Sequence, residues 1–359
     1  MLRALQLAER GWGQVHPNPM VGSVVVKDGV VVGEGWHQQY GGPHAEVNAL
    51  RAAGEHAAGA TLFVTLEPCS HHGKTPPCTD AIIAAGVTRV VFAAEDPDPA
   101  ARGGADVLRE HGIEVESGVE RTVARRLNAA FHYSHEHGKP FVALKLALSL
   151  DGRISATADA PTRLTGDTAT AEVHRLRSGF DAVMIGIGTA LADDPLLTVR
   201  AAPAGRIPPA RIVLDSGLRL PVGSRLAQSA AEAPLILIAG DDAPAANAVA
   251  LESAGAEIIR VTTRADRSAL DPAVILDVLG RRGIGTVLCE GGGRLAGSLM
   301  AEGAVRRLIL FYAPVVLGEA AVAGFAGYHG RLDPPAWAQV SASMFGRDAC
   351  VILDRADGA

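Results

Sequence analysis

The chain has 359 residues and a formal net charge of −6, and 48% of its residues are hydrophobic. This length suggests two domains at about 150 residues each, and the composition is that of a folded protein. The acidic balance speaks against a nucleic-acid binder, and no apolar run approaches the roughly 18 residues of a membrane span. The charged N-terminal segment does not suit a secretory signal and four cysteines fit a reducing compartment, so we expect a cytoplasmic protein.

The first half predicts alternating helices and strands. A helix over residues 1–15 is followed by His16-Pro17-Asn18-Pro19, which no helix can contain because proline removes a donor and extends the residue before it. Residues 21–33 predict a β-hairpin with an Asp-Gly turn. Beyond the hairpin we predict strands over 61–66, 87–93 and 113–115, and helices over 44–53, 79–85, 106–111 and 119–137.

The second half begins after Gly138-Lys139-Pro140, where we place the boundary between domains 1–138 and 139–359. Its continuous apolar runs are typical of buried strands, and helical segments separate several of them. This alternation predicts an α/β fold with a mainly parallel sheet covered on both faces. The predicted strands are 141–147, 182–185, 211–214, 235–238, 258–261, 286–289 and 308–311, with helices over 168–178, 271–281 and 294–302.

Metal-binding side chains are concentrated in the first half, which holds ten of the 12 histidines. His44, Cys69 and Cys78 form a suitable ligand set for one zinc ion per chain, and three ligands leave a position for water. Zinc lowers the pKa of such a water to about 7. Glu46 lies close enough to His44 to move protons without binding the metal. Zinc nucleobase deaminases carry this combination as His-x-Glu followed by Pro-Cys-x-x-Cys.

Two other interpretations of these residues are open. The cysteines are separated by eight residues rather than two, which would fit a closed structural zinc with His71 or His72 as fourth ligand. They would also fit two unrelated buried cysteines and a surface histidine. A structural zinc has no use for Glu46, and the last interpretation leaves both motifs to coincidence, so we favour a catalytic zinc.

In the second half, Glu290-Gly291-Gly292-Gly293 stands between a predicted strand and a predicted helix. A glycine-rich turn lets backbone amides approach a phosphate at the helix N-terminus. The segment lacks the Gly-x-Gly-x-x-Gly fingerprint, and the alternative is a tight turn without a ligand. The loop 189–200, with adjacent acids and a basic end, is the other candidate, and its alternative is a capped surface turn.

Several of these segments resemble the bifunctional deaminase/reductase family of riboflavin biosynthesis: 16–22, His44-Ala45-Glu46-Val47 and 65–78 in the first half, with 145–153, 192–195 and 290–292 in the second. The long insert between the cysteines is typical of that family. The resemblance covers nearly the whole chain. It implies a cytidine-deaminase-like three-layer α/β/α domain, followed by a dihydrofolate-reductase-like α/β domain.

The resemblance also implies the chemistry. The substrate would be 2,5-diamino-6-ribosylamino-4(3H)-pyrimidinone 5′-phosphate, a phosphorylated pyrimidine. Water activated by zinc would attack the carbon that bears the 2-amino group, while Glu46 takes a proton and delivers it to the departing ammonia. Asn18 would contact the pyrimidine, and Lys74 with His71 or His72 would contact the phosphate. NADPH would then reduce the ring-opened ribosyl C1′ to a ribityl chain.

By motif, the resemblance assigns reductase-site residues. Arg177, Leu197, Arg200 and Glu290 would face the substrate, and the two arginines suit its phosphate. Pro161 and Arg163 depart from the Ser and Trp of many relatives, and Arg163 would instead pair with a cofactor phosphate. The residues expected to line NADPH are Ala147, Arg163, Thr189, Asp193, Ser216, Gly292, Gly293, Arg294, Leu295, Ala296, Gly297 and Ser298.

We keep two alternatives to this function. One is a deaminase of another base, such as cytosine or a tRNA adenosine, with a non-catalytic C-terminal domain. The other is a structural zinc module fused to a nucleotide-sensing domain. The family resemblance further implies a homo-oligomer formed through the reductase half.

Overall fold

The structure, a computed structural model, describes residues 1–158, 160, 162–263, 270–331 and 336–356. Pro161, one of the two departures from the family pattern, lies outside the described residues. The chain divides into two compact units, Met1–His137 and Gly138–Gly358. Among the described residues, no helix combines the length and the apolar character needed to cross a membrane.

The first unit is built on a five-stranded sheet in the order β2-β1-β3-β4-β5. The hairpin strands pair antiparallel, as the Asp-Gly turn predicts, whereas β3, β4 and β5 run parallel. The carboxyl ends of β3 and β4 therefore meet at one edge of the sheet. The strands are β1 (Gly22–Lys27), β2 (Val30–Trp36), β3 (Thr61–Leu66), β4 (Arg89–Ala94) and β5 (Glu114–Ser117).

Helices cover both faces of this sheet, so the unit has three layers. Apolar side chains of α2, α3 and α4 pack with Val25 and Leu62 on one face, while those of α1 and α5 pack on the other. This arrangement confirms the predicted α/β/α fold. The helices are α1 (Leu2–Ala8), α2 (Ala45–Ala53), α3 (Cys78–Ala84), α4 (Gly104–Glu110), α5 (Arg121–Leu127) and α6 (Ala129–His137), with 3₁₀ turns at Glu9–Gly11 and Gly54–Ala57.

Two predicted helices of this unit were too long. The helix over 1–15 ends at Ala8, and after a 3₁₀ turn the chain leaves helical geometry at Trp12, whose ψ is 127°. The helix over 119–137 is two helices that break at Asn128. The amide of Asn128 bonds the main chain of Met20 in both directions, accepting from its N–H and donating to its carbonyl oxygen, each at 2.8 Å. A tertiary contact thus replaces helix continuity at this residue.

The second unit contains a sheet whose nine strands, counted over the described residues, follow the order β11-β10-β9-β8-β12-β6-β13-β16-β15. The pairs from β11 to β13 are parallel, which confirms the predicted mainly parallel sheet. A short β7–β14 pair stands apart. The strands are β6 (Phe141–Leu148), β7 (Arg153–Ser155), β8 (Ala182–Gly186), β9 (Ala210–Leu214), β10 (Leu235–Gly240), β11 (Glu257–Val261), β12 (Thr286–Cys289), β13 (Val305–Tyr312), β14 (Val322–Ala323), β15 (Trp337–Phe345) and β16 (Asp348–Arg355).

The last two strands were not predicted. β15 and β16 form an antiparallel hairpin joined through Gly346, whose φ is 65°, and β16 also pairs antiparallel with β13. Helices pack on both faces of the parallel part, where two apolar clusters form the core. They are α7 (Asp167–Arg177), α8 (Ile187–Asp193), α9 (Arg225–Gln228), α10 (Ala245–Ser253), α11 (Pro272–Arg281) and α12 (Gly293–Ala301).

Candidate active sites

Three elements of the first unit bring the expected metal ligands together. His44 is the N-cap residue of α2, Cys69 follows β3, and Cys78 is the first residue of α3. The backbone N–H of Cys78 donates to the sulfur of Cys69 at 3.4 Å, which ties the start of α3 to the end of β3. In the described part of the chain, these three residues form the group of histidine, cysteine or acidic side chains close enough to hold one metal ion, with ligand atoms within 4.8 Å of one another.

The donor geometry fits zinc. Nδ1 of His44 lies 3.2 Å from Sγ of Cys78 and 3.5 Å from Sγ of Cys69. A tetrahedral zinc with bonds of about 2.0–2.3 Å needs donor atoms separated by roughly 3.5 Å. The other ring nitrogen of His44 lies 3.3 Å from Oγ1 of Thr75, which helps to hold the ring with Nδ1 toward the sulfurs.

The two thiols are electrostatically unequal. A hydrogen bond from Cys78 lowers the pKa of the Cys69 thiol to about 4, and the same contact, with burial, raises the pKa of Cys78 well above its ordinary value. The contact therefore favours the deprotonated form of Cys69 and the protonated form of Cys78. A bound cation would take the place of that proton.

Glu46 lies in the first turn of α2 and is only 3% exposed. Burial raises the pKa of its carboxyl group to about 6, and the nearby His44 opposes that rise. The carboxylate is not one of the clustered ligand atoms. A carboxyl group that changes charge close to neutral pH is suited to accept and return a proton.

A glycine in β2 lets α2 approach closely enough to place these two residues. A Cβ on Gly35 would lie 2.4 Å from the backbone nitrogen of Ala49 and 2.6 Å from the carbonyl oxygen of Ala45. No other residue type fits this contact without moving α2. The position of His44, at the start of that helix, therefore depends on Gly35.

A cavity of about 320 Å³ opens in front of the ligand cluster, and Glu46, His44 and Cys69 line it. Asn18 and Lys74, which the family resemblance assigned to the substrate, line the same cavity. So does His71, whereas His72 is not among the lining residues. The ammonium group of Lys74 lies 4.1 Å from the centre of the Tyr40 ring, a cation–π contact at the cavity rim.

Sequence reasoning missed other residues of this cavity, notably His37 and Asp96. His37 lies 3.3 Å from the amide nitrogen of Asn18 and 3.1 Å from the carbonyl oxygen of Pro43, so it links two walls. Asp96 follows β4, and burial raises its pKa to about 6. Parallel strands direct the residues after their carboxyl ends to the same edge, and that rule would have grouped Asp96 with Cys69.

The second unit has its own cluster of buried charges, centred on Glu290 after β12. Arg177 at the end of α7 binds Glu290 with two bonds of 2.6 and 3.0 Å. The ammonium group of Lys145 on β6 lies 3.9 Å from the same carboxylate. Burial works against the charge of Lys145 and lowers its pKa, while Glu290 opposes that shift. The sequence predicted Arg177 and Glu290 for this site, but it assigned no role to Lys145.

The loop after α8 runs beside this cluster. Leu197 is buried with a positive φ of 55°, and the carbonyl oxygen of the next residue, Thr198, accepts a bond of 3.1 Å from Arg177. Arg200 is exposed, and its guanidinium donates to the hydroxyl of Thr198 at 2.8 Å. Of the two arginines expected to face a phosphate, Arg200 has the more accessible charge.

Most residues expected to line NADPH lie at one edge of the parallel sheet. Ala147 is near the carboxyl end of β6, Thr189 and Asp193 are in the helix after β8, and Ser216 and Gly292 follow β9 and β12. The carboxyl edge is the usual ligand side of such a sheet. Arg163 forms an exposed ion pair with Asp167 instead.

The glycines of and after the glycine-rich turn have two structural roles, open space at one position and close backbone packing at the others. Gly292, the N-cap of α12, faces Thr189, whose hydroxyl oxygen would be 3.1 Å from an added Cβ. Gly293 and Gly297 instead pack on a neighbouring backbone, where a Cβ would come within 2.0 Å of the carbonyl of Ala323 and 2.1 Å of that of Ala326. Gly292 thus leaves a cradle that suits a dinucleotide phosphate.

Along α12 the remaining predicted residues differ in exposure. Arg294 is exposed, Leu295 and Ser298 are partly buried, and Ala296 is fully buried. The exposed guanidinium of Arg294 is the charged group of this helix that a solvent-facing phosphate could reach.

Comparison with known proteins matches both units. A family model described as the RibD C-terminal domain matches residues 140–351, and one described as the cytidine and deoxycytidylate deaminase zinc-binding region matches residues 1–94. The riboflavin biosynthesis protein RibD of Escherichia coli (strain K12) is 40% identical over 98% of both chains.

Two solved structures are similar to this chain along nearly its whole length. RibD of Acinetobacter baumannii has a TM-score of 0.82 at 35% identity, covering 99% of this chain and 97% of its own. A diaminohydroxyphosphoribosylaminopyrimidine deaminase/5-amino-6-(5-phosphoribosylamino)uracil reductase of Thermotoga maritima has the same TM-score and coverage at 34% identity.

These matches decide between the functions that the sequence left open. A non-catalytic C-terminal domain and a structural zinc module fused to a sensor both disagree with a full-length match to proteins that carry two enzymatic activities. The cofactors of those activities are zinc for the deaminase and NADPH for the reductase. The chain belongs to the RibD family, the bifunctional deaminase/reductases of riboflavin biosynthesis.

Proposed function

We propose that residues 1–138 hydrolytically deaminate 2,5-diamino-6-ribosylamino-4(3H)-pyrimidinone 5′-phosphate, and that residues 139–359 then reduce the ribosyl group of the product with NADPH. The product of the second step is 5-amino-6-ribitylamino-2,4(1H,3H)-pyrimidinedione 5′-phosphate. The observation that carries the proposal is the clustering of His44, Cys69 and Cys78 beside a cavity that is lined by His44, Cys69 and Glu46.

In the deaminase site, His44, Cys69 and Cys78 would hold zinc, which would supply a Lewis acid that activates water. Glu46 accepts the proton released from that water and returns it to the amino group that leaves as ammonia. Its burial supports this role, because a carboxyl group with a pKa of about 6 both takes up and gives back a proton near neutral pH.

Substrate recognition falls to the cavity walls. The amide of Asn18, oriented by His37, can offer both a donor and an acceptor to the pyrimidine ring. Lys74, held against Tyr40 at the rim, supplies a positive charge for the 5′-phosphate. Two further buried acids line the cavity. Glu67 accepts from the backbone N–H groups of Gly103 and Ala105, whereas Asp96 can accept a hydrogen bond from a ring or ribose donor.

In the reductase site, NADPH supplies the hydride. Gly292 and Thr189 would hold its phosphates, and Ala147, Asp193 and Ser216 lie at the same edge of the sheet. The other residues of the predicted cofactor set belong to the same proposal. Arg163 could contact the cofactor only after its ion pair with Asp167 is broken. The set is completed by Arg163, Gly293, Arg294, Leu295, Ala296, Gly297 and Ser298.

On the substrate side, Arg200 binds the phosphate. The side chain of Leu197 is buried in the core, so Leu197 would face the substrate through its backbone. Arg177 contributes mainly by fixing Glu290, since most of its donors are engaged by that carboxylate and by the carbonyl of Thr198. Glu290 and Lys145 supply an acid–base pair beside the reacting sugar.

We further propose that the protein acts in the cytoplasm as a homo-oligomer formed through the reductase half. Exposed apolar side chains of the second unit support an interface there: Leu150, Val316 and Met344 are 62%, 69% and 65% exposed. Light scattering on the full chain tests the assembly. Polar substitution of Met344, on the edge strand β15, is expected to weaken it.

Product analysis by mass spectrometry tests the proposed reactions. Zinc-loaded chain with the diaminopyrimidinone phosphate is expected to yield a product in which the amino group is replaced by oxygen. Added NADPH should then give a gain of two hydrogens. If properly metallated protein produces neither change, the proposal is wrong; if only the second is missing, the assignment of the reductase half is wrong.

A further inference from the structure

One face of α7 holds the main chain of the neighbouring loop at two points. Arg177 donates to the carbonyl oxygen of Thr198 at 3.1 Å. One turn earlier on the same helix, Nδ1 of His174 accepts a hydrogen bond of 3.1 Å from the backbone N–H of Arg200. These bonds fix the carbonyl and the amide on either side of Val199, where the loop presents Arg200.

His174 is suited to the acceptor role. The side chain is only 5% exposed, and burial lowers its pKa, as do the positive charges of Arg177 and Arg200. Nδ1 accepts from the backbone N–H of Arg200, so this nitrogen carries no proton. The lowered pKa favours the same neutral ring, although Glu290 and the backbone of Thr198 oppose the shift. A neutral imidazole that accepts at Nδ1 carries its proton on Nε2, so Nδ1 keeps a free lone pair for the amide of Arg200.

The bond joins a buried residue to an exposed one. Arg200 is exposed and its guanidinium donates to the hydroxyl of Thr198, so a shift of the loop backbone would move this charge with it. Leu197, three residues earlier, already adopts a left-handed conformation, so the loop needs restraints to keep its shape. The bond from His174 restrains the residue that carries the accessible charge.

We propose that His174 is a positioning residue of the reductase site, which fixes the main chain at Arg200 and thereby the place where the Arg200 guanidinium meets the substrate phosphate. This inference rests on the proposed function, in which Arg200 binds that phosphate. A buried histidine that only filled space would make a different prediction, because an apolar side chain of similar volume would then serve as well.

The experiment compares His174→Leu with His174→Asn in the full-length, zinc-loaded enzyme. Asparagine places its oxygen where histidine has Nδ1 and so keeps an acceptor, whereas leucine fills the space without one. The reduction is measured with the deaminated substrate and with the same compound lacking its phosphate. Deamination in the same chain serves as the internal control.

We expect His174→Leu to raise KM for the phosphorylated compound about tenfold, the effect of one lost hydrogen bond. The kcat and the KM for NADPH should remain close to wild type, and His174→Asn should remain within about threefold. With the compound lacking phosphate, the variants and the wild type should be alike. An equal defect with both compounds, an unchanged KM in His174→Leu, or an equal defect in both variants would overturn the proposal.

Two further measurements keep the result interpretable. Arg200→Ala tests the proposed function alone: if it does not reduce the preference for the phosphorylated compound, Arg200 is not the phosphate ligand. If Arg200→Ala has that effect and His174→Leu does not, only the role of His174 is wrong. Should His174→Leu fail to fold, amide exchange of Arg200 in the wild type and in His174→Asn decides. Slow exchange in both is expected, and an unprotected amide in the wild type contradicts the inference.

Discussion

The two active sites of this chain are assembled in different ways. The ligands of the deaminase site lie within a short stretch, with His44 and Cys78 separated by 34 residues, and each belongs to a motif that is chemically distinctive by itself. The reductase site joins Arg177 to Glu290 across 113 residues, and the role of each was assigned only through the family resemblance.

The difference shows what each site depends on. In the first unit the essential atoms are the donors of a metal ion, so identity and spacing carry most of the information. In the second unit the essential feature is a balance of buried charges, which exists only once β6, α7 and β12 are packed together. Substitutions in the site of the first unit should therefore mainly reduce the rate of its reaction. Substitutions in the charge cluster of the second unit should also reduce the stability of the fold.

The largest effect is expected from Glu46→Ala. Loss of the proton-transfer group should slow deamination by about 10²–10⁴-fold, while zinc content and reduction of pre-deaminated substrate persist. Zinc analysis with separate assays of the two reactions measures this. Loss of zinc in the variant would mean that Glu46 is itself a ligand. The assignment of separate residues to metal binding and to proton transfer would then be wrong.

Glu290→Gln tests the charge balance of the second unit. It leaves two cations, Arg177 and Lys145, without their buried counterion, and breaking such a pair typically costs about 3–5 kcal/mol. Calorimetry should show a lower unfolding temperature together with loss of reduction and normal deamination. Asp277→Asn, which breaks an exposed pair with Arg281, should change stability by less than about 1 kcal/mol. Equal effects of the two variants would show that burial does not matter here.

Gly35→Ala tests how far the zinc site depends on packing. The added methyl group would meet the backbone of α2, so the helix must move at a cost of about 1–3 kcal/mol, and zinc affinity should fall about tenfold as His44 moves with it. Zinc titration against a competing chelator measures the change. Gly223→Ala, where an added Cβ meets nothing within 4 Å, is the control. Unchanged zinc affinity in Gly35→Ala would show that the position of His44 does not depend on the close packing of α2 against Gly35.

The smallest effect concerns pH and His132 in α6. Burial and the charge of Arg125 lower the pKa of this histidine to about 4, below its ordinary value of 6.5. The unfolded chain therefore binds the proton first as pH falls, so the contribution to stability is present above pH 6.5 and decreases toward pH 4. Between pH 7 and 5 the decrease should be about 1–2 kcal/mol.

Amide exchange in α5 and α6 measures this dependence. In His132→Leu the pH dependence should be weaker than in the wild type by that amount. An identical dependence in the two proteins would show that His132 titrates normally in the folded unit.

The sequence predicted the strands of both sheets' parallel parts, because continuous apolar runs and turn residues are local signals, but it did not predict α8, α9 and α10. It could not predict that Asn128 would bond the main chain of Met20 rather than continue a helix. The C-terminal hairpin was missed although only β15 lacks a continuous apolar run. β16 contains one at residues 349–353, which could have marked it as a strand. In the sites, Glu46 was predicted through its motif, whereas Lys145 and His37 were not, since their roles arise only from neighbours far along the chain.

The contact between Asn128 and Met20 also bears on the order in which the first unit is completed during synthesis. The bond spans 108 residues and adjoins the Pro17-Asn18-Pro19 segment of the cavity wall, and Phe131 and His135 of α6 form another part of that wall. All three zinc ligands are translated by residue 78, well before these residues. A growing chain thus carries a complete set of metal ligands while its substrate cavity still lacks a wall, and it acquires the ability to select a substrate only when α6 has emerged.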